Sequence, residues 1–198
     1  MNNNFKCPTN NEKSRENCCG KLNIDINHPK WTGDNGMWDL SDEHHDINNC
    51  YSYSLNNQIP MGWRTDKLQP GDLSGGKYSE QTCKSIIQHV REDYMNKDIR
   101  EVGLNDNVEC NRYKIALVLS NNSDSFDYHF YRQDLNGNWS HKAGDNPISN
   151  VDASGKLIKD PQKANRNYNK TDNTDDDNND YNIFCGYYSV RVDSSFVK

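Results

Sequence analysis

The sequence predicts an α+β protein in which a few helices pack on a small antiparallel sheet, and three stretches carry that expectation. Tyr113 to Ser120 is the most apolar run in the chain, and its length and branched residues predict a central strand. Asp127 to Gly144 reads as a β-hairpin, with arms 129–134 and 138–142 and Asn136-Gly137 at the turn, two residues that tolerate positive φ. Ser79 to Met95 is the one clear amphipathic helix, because Cys83, Ile86, Ile87, Val90 and Tyr94 recur at spacings of three and four. A closing strand is expected over Tyr181 to Val192, and a short helix is expected to start at Cys50 behind Asn48-Asn49.

Composition sets the scale of the core. The 198 residues fit one domain with trimmings. Leu, Ile, Val and Phe number only 34, a fraction at which disorder becomes a concern. Against that, the net charge is only −6, and 11 Tyr and 4 Trp can each bury a large area. A small aromatic-rich core with long polar loops follows. The 30 asparagines read as the mark of an AT-rich genome. The expected organisation is an extended N-terminal arm over residues 1–40, then a single domain over 41–198 with a mobile acidic loop at 169–180. Trp31 and Trp38 sit among turn residues and read as rings packed onto the domain.

Several function classes are excluded. No run of 18 apolar residues exists to span a membrane, and no apolar signal region stands at the N-terminus. The expectation is a protein of the cytoplasm or of an assembly such as a virion. Basic residues are scattered and the balance is acidic, so no nucleic-acid footprint is present. Asn150 to Lys156 resembles the front of a calcium loop, but Pro161 stands where an EF-hand needs Glu. The run of aspartates at 175–177 reads as solvated loop rather than a metal site, and no cofactor is expected. The sequons at Asn121, Asn138 and Asn169 are chance products of an Asn-rich chain.

Seven cysteines stand at 7, 18, 19, 50, 83, 110 and 185. One free thiol with three bridges fits, and so do seven thiols. Without a signal peptide, mostly reduced cysteines are expected. Cys7, Cys18, Cys19 and His28 make a poor metal site, because adjacent cysteines rarely suit one tetrahedral centre. Cys83 lies on the apolar stripe of its helix and reads as core.

Cys50 is the candidate nucleophile. In the first turn of a helix it feels the positive end of the dipole, which lowers a thiol's pKa. The competing reading is a small buried apolar residue. His129 is the candidate base and His141 its orienting partner, one on each hairpin arm. His129, Tyr131 and Gln133 share a face, as do Trp139 and His141, so a turn at Asn136-Gly137 brings both imidazoles to one side. His44 or His45 is the lesser option for the base.

The order of these elements resembles the papain-like cysteine peptidases of the NlpC type, including the CHAP amidases. The likeness rests on Asn49-Cys50-Tyr51-Ser52-Tyr53, Leu68-Gln-Pro-Gly-Asp-Leu73, Asp127-Tyr-His-Phe-Tyr-Arg132 and Trp139-Ser-His-Lys-x-Gly144, and covers roughly residues 48–144. These motifs are also similar to those of a set of microbial and viral proteins. The resemblance implies a papain-like core and a catalytic set of Cys50, His129 and His141. It implies a cysteine-dependent hydrolase that cleaves a peptide or amide substrate through a thioester. Two departures stand out: Tyr51 and Tyr53 replace the usual small residues after the cysteine, and Ser-Gly-Gly follows the Pro-Gly-Asp-Leu turn where a strand is usual. The first rival is a papain-like protein without catalysis, structural or binding in role, with protein partners in a larger assembly such as a virus particle. The second is a secreted protein with Cys50 bridged, and the third a non-peptidase acyltransferase.

Overall fold

The computed structural model describes residues 5–21, 28–31, 38, 47–59, 66–76, 80–94, 98–122, 125–169 and 179–192. His44, His45 and the aspartates at 175–177 lie outside the described residues. The elements are β1 (Lys6–Cys7), α1 (Glu12–Gly20), α2 (Cys50–Ser54), α3 (Cys83–Asp93), β2 (Arg100–Val102), β3 (Val108–Glu109), β4 (Arg112–Asn122), β5 (Ser125–Gln133), β6 (Trp139–Lys142), β7 (Ile148–Ser149) and β8 (Ile183–Arg191). The class is α+β. Six strands form one sheet in the order β2-β8-β4-β5-β6-β7, and every neighbouring pair is antiparallel. No helix among the described residues is long and apolar enough to cross a membrane.

Strand alternation splits the sheet into two covered faces. Ile115, Leu117, Leu119, Tyr128, Phe130, Tyr188 and Val190 point to one side and bury against Cys50, Tyr51 and Leu55 of the α2 region and Ile86, Ile87 and Val90 of α3. Ala116, Val118, Tyr131, Trp139 and Tyr187 point to the other and are covered by Ile158 and Tyr181 from irregular chain. A sheet buried on both faces explains why Tyr113 to Ser120 is apolar without alternation. A register shift between β4 and β8 at Leu117/Val118 inserts one extra residue, Cys185, into β8. Such a bulge re-aims side chains, and here Cys185 turns toward α3.

The hairpin between β5 and β6 differs from the tight two-residue turn expected. Only Gly137 takes positive φ, at +89°. Asp134 N donates to Asn138 O at 2.9 Å, and Gly137 N donates to Asp134 O at 2.9 Å. This is a wider loop closed by one left-handed glycine. A Cβ at Gly137 would lie 2.5 Å from Asn10 O, so the turn also seats the N-terminal segment.

That segment is more ordered than an extended arm. Lys6 and Cys7 pair with Glu109 and Val108. Residues 12–20 form α1, capped by Asn11, whose side chain accepts from Ser14 N at 2.9 Å. Buried Arg15 donates to the carbonyls of Cys7, Glu109 and Arg112 at 3.1, 2.8 and 2.6 Å.

Three disulfides correct the expectation of reduced cysteines: Cys7–Cys18, Cys19–Cys110 and Cys83–Cys185. Cys50 is the free cysteine. The pairings join positions 91 and 102 residues apart in two cases, so only the fold could bring them together. Cys83 packs at the core margin, as its place on the stripe implies, but as half of a bridge.

A buried three-residue site around Cys50, His129 and His141

Asn49 caps α2 as its sequence position implies. Its side chain accepts from Tyr51 N at 3.0 Å and Ser52 N at 3.2 Å, and Ser52 Oγ accepts from Asn49 N at 3.1 Å. The same asparagine donates through Nδ2 to Leu68 O at 2.8 Å, which ties the cap to the turn before Pro70. Five residues cannot hold a helix alone, and the two tyrosines that depart from the papain-like pattern supply the anchors. Tyr51 OH donates to Asp93 at 2.9 Å, and Tyr53 OH lies 2.7 Å from Ser140 Oγ. Arg132 stacks 3.9 Å over the Tyr53 ring and is paired with Asp134 at 3.1 Å.

Cys50 therefore opens α2 and lies against β5. Its Sγ is 4.0 Å from Tyr128 O, and the residue is 7% exposed. Burial pushes the thiol up to about 12, reinforced by the negative charge of Asp127, against the smaller opposing effects of the Phe130 backbone and Lys142. This reverses the expectation of a dipole-lowered thiol. A single helical turn supplies at most a modest stabilisation of a thiolate, whereas loss of hydration penalises the charged form by far more.

His129 and His141 meet as expected. His129 Nε2 and His141 Nδ1 are 2.8 Å apart, and the residues are 2% and 3% exposed. The β5–β6 register pairs Arg132 with Ser140 and Gln133 with Trp139, which places His141 beside Tyr131 and one step diagonal to His129. The Tyr131 ring meets His129 edge to face at 5.1 Å, and the Tyr181 ring lies tilted beside it at 5.2 Å. His141 Nε2 lies 3.2 Å from Val151 O. A carbonyl only accepts, so His141 Nε2 carries hydrogen and, in the neutral ring, Nδ1 is an acceptor. His129 Nε2–H must then donate to it, which leaves His129 Nδ1 with a lone pair. Burial and the neighbouring His141 hold His129 well below its ordinary value, and burial brings His141 down to about 4 despite its bond to Val151 O.

A hydrogen bond joins the two imidazoles to each other. Among the described residues, Cys50 Sγ has no hydrogen bond to either ring. Cys50 packs in the cluster with Tyr128 and Phe130, the His129 ring contacts Tyr131 and Tyr181, and the thiol lies close enough to both of those tyrosines to act on their ionisation. Sequence reasoning assigned no role to Asp127, Tyr131, Val151 or Tyr181. Asp127 accepts from Tyr181 OH at 2.7 Å and Asn179 Nδ2 at 2.8 Å, and it sets the charge beside the thiol. Its signal was its place two residues before His129; Val151 contributes only a carbonyl and left none.

The residues with a donor set suited to a metal are elsewhere. The sulfurs of Cys7, Cys19 and Cys110 lie within 4.8 Å of one another, but each is spent in a bridge. Cys18 and Cys19, adjacent in sequence, go to different partners. His28 lies beside this cluster, with Nε2 2.7 Å from Cys110 O.

Taken together, the fold and site define an α+β protein, held by three disulfides, whose histidine pair and single thiol are sealed inside. No family model and no solved structure matches the chain. The chain is 37% identical over 119 residues to insoluble matrix shell protein 1 of Ruditapes philippinarum, an alignment that covers 60% of this chain and 71% of that protein. The chain belongs to the family of that protein. This kinship overturns the expectation of a hydrolase or thiol protease, because the relative is a component of an insoluble shell matrix.

Proposed function

We propose that the protein is a catalytically inactive, papain-like structural protein that assembles with other proteins into an insoluble extracellular matrix. The observation that carries this reading is its 37% identity to a shell matrix protein. The site supports it in physical terms. A cysteine nucleophile needs a thiolate at working pH and an imidazole within hydrogen-bond reach. Here the thiol is raised to about 12, buried, and bonded to neither ring. Three disulfides suit an oxidising compartment outside the cell. The papain-like layout is supported by a cysteine that opens a helix laid on an antiparallel sheet and by a histidine pair on adjacent strands, with His129 Nδ1 left unprotonated. In that layout Cys50, His129 and His141 survive as packing and hydrogen-bonding groups.

An electrophilic acyl probe tests the absence of catalysis. Wild type and Cys50→Ala are expected to stay equally unlabelled under native conditions, with Cys50 reacting only after denaturation. Extraction of the source material tests assembly: the protein should remain in the insoluble fraction until denaturant and reductant are combined. Native labelling of Cys50 that His129→Ala abolishes, together with recovery in plain buffer, would overturn the reading.

A further inference from the structure

The two N-terminal bridges are not independent of each other. Cys7 Sγ, bonded to Cys18, lies 3.3 Å from Cys110 Sγ, which is bonded to Cys19. Cys7 and Cys110 are held by the same short ladder, because Cys7 pairs with Val108 two residues before Cys110. Cys7, Cys19 and Cys110 are buried, whereas Cys18 is partly exposed. Disulfide exchange requires a thiolate to reach a sulfur. Cys18 is therefore the one residue of the four that reaches solvent. The chain's own free thiol, Cys50, is buried in a different cluster, so the attacking thiol belongs to another molecule.

We propose that these bridges form a thiol-exchange relay that attaches the chain covalently to a thiol-bearing partner through Cys18. In the first step the partner's thiolate attacks Cys18 Sγ; the partner–Cys18 bond forms, the Cys7–Cys18 bond breaks, and Cys7 leaves as a thiolate. In the second, Cys7 attacks Cys110 Sγ; a Cys7–Cys110 bond forms, the Cys19–Cys110 bond breaks, and Cys19 leaves as a thiolate that takes a proton from water. One thiol enters and one is released, so no oxidant or reductant is consumed. Arg15 fixes the backbone of the leaving residue: its buried guanidinium donates to Cys7 O at 3.1 Å. The second bridge, once re-formed as Cys7–Cys110, keeps β1 attached to the chain beyond β3. The relay rests on the sulfur geometry alone and is independent of the matrix reading.

The experiment uses the full oxidised chain and glutathione as the probe, followed by alkylation and peptide mapping without reductant. The expected product carries glutathione on Cys18, a Cys7–Cys110 crosslink and alkylated Cys19, with Cys83–Cys185 intact and Cys50 unmodified. A Cys18 adduct with Cys7 alkylated and Cys19–Cys110 retained overturns the relay. So does glutathione on Cys7, Cys19 or Cys110, or no adduct at all. In a Cys19→Ala/Cys110→Ala variant the reaction should stop at the first step, with Cys7 alkylated.

Discussion

Three histidines and one cysteine in this chain are governed by what surrounds them more than by their own chemistry. Burial, with the nearby Arg15 charge, lowers His28 to about 3 even though its ring bonds Cys110 O. His141 falls to about 4, and His129 well below its ordinary value. All three are neutral in the folded state at pH 7. In the unfolded chain they titrate near 6.5. Between about 6.5 and 4 the unfolded state therefore binds more protons than the folded state, and stability falls as pH falls. Each imidazole that stays neutral adds a slope of about 1.4 kcal/mol per pH unit inside that window. Urea midpoints measured from pH 7 to 4.5 should drop steadily; a flat profile would show that the imidazoles are hydrated. Cys50 behaves in the opposite sense. Its raised pKa contributes stability below the ordinary thiol range that is unaffected by these acid conditions.

The elements around the site are short, and they are held by single buried groups. Asp93, the last residue of α3, is fully buried. One of its oxygens accepts from Tyr51 OH at 2.9 Å and Gly71 N at 2.7 Å. The other accepts from Leu73 N at 3.2 Å and Ser74 N at 2.8 Å. It joins α3, α2 and the turn after Pro70 at one point. That turn is itself tight, since Gly71 has φ of +95° and a Cβ there would lie 1.8 Å from Gly76 O. Asp93→Asn should cost about 3 kcal/mol, because either amide orientation turns its NH2 against N–H or O–H donors. The check is a shift in urea midpoint at unchanged slope. A shift under about 0.5 kcal/mol would mean the turn finds other partners.

At the scale of the molecule, the sheet and the bridges share the work. The apolar contribution is limited by a composition poor in Leu, Ile, Val and Phe, and aromatic side chains fill both faces. Cys83–Cys185 links α3 to the bulge of β8 across 102 residues, a span for which loop-closure arguments give several kcal/mol. The Cys83→Ala/Cys185→Ala double variant should lose roughly 2–5 kcal/mol in urea unfolding while keeping its sheet signature in far-UV circular dichroism. Loss of the sheet signature instead would place this bridge among the requirements for folding. The N-terminal bridges act differently, because they fasten a segment whose seat includes the hairpin turn at Gly137.

Much of the architecture was legible because it depends on local spacing. The three- and four-residue stripe of α3, the apolar run of β4, the hairpin that pairs His129 with His141 and the Asn49 cap are all written in neighbouring residues. The cysteine pairing and the ionisation of Cys50 were not. A bridge needs two Cα atoms about 5.3–5.8 Å apart, and Cys19 meets Cys110, and Cys83 meets Cys185, only once the sheet has formed. The helix dipole on Cys50 is a local effect and was visible; its burial in the core cluster with Tyr128 and Phe130 and the charge of Asp127, 77 or more positions away in sequence, were not. The sequence by itself determined the helices at Cys50 and Cys83, the long central and closing strands and the hairpin arms, and which residues of those segments share a face, but not the N-terminal helix. The tertiary structure decided which groups are cut off from water, and exclusion of water is what separates a reactive thiol from a buried one.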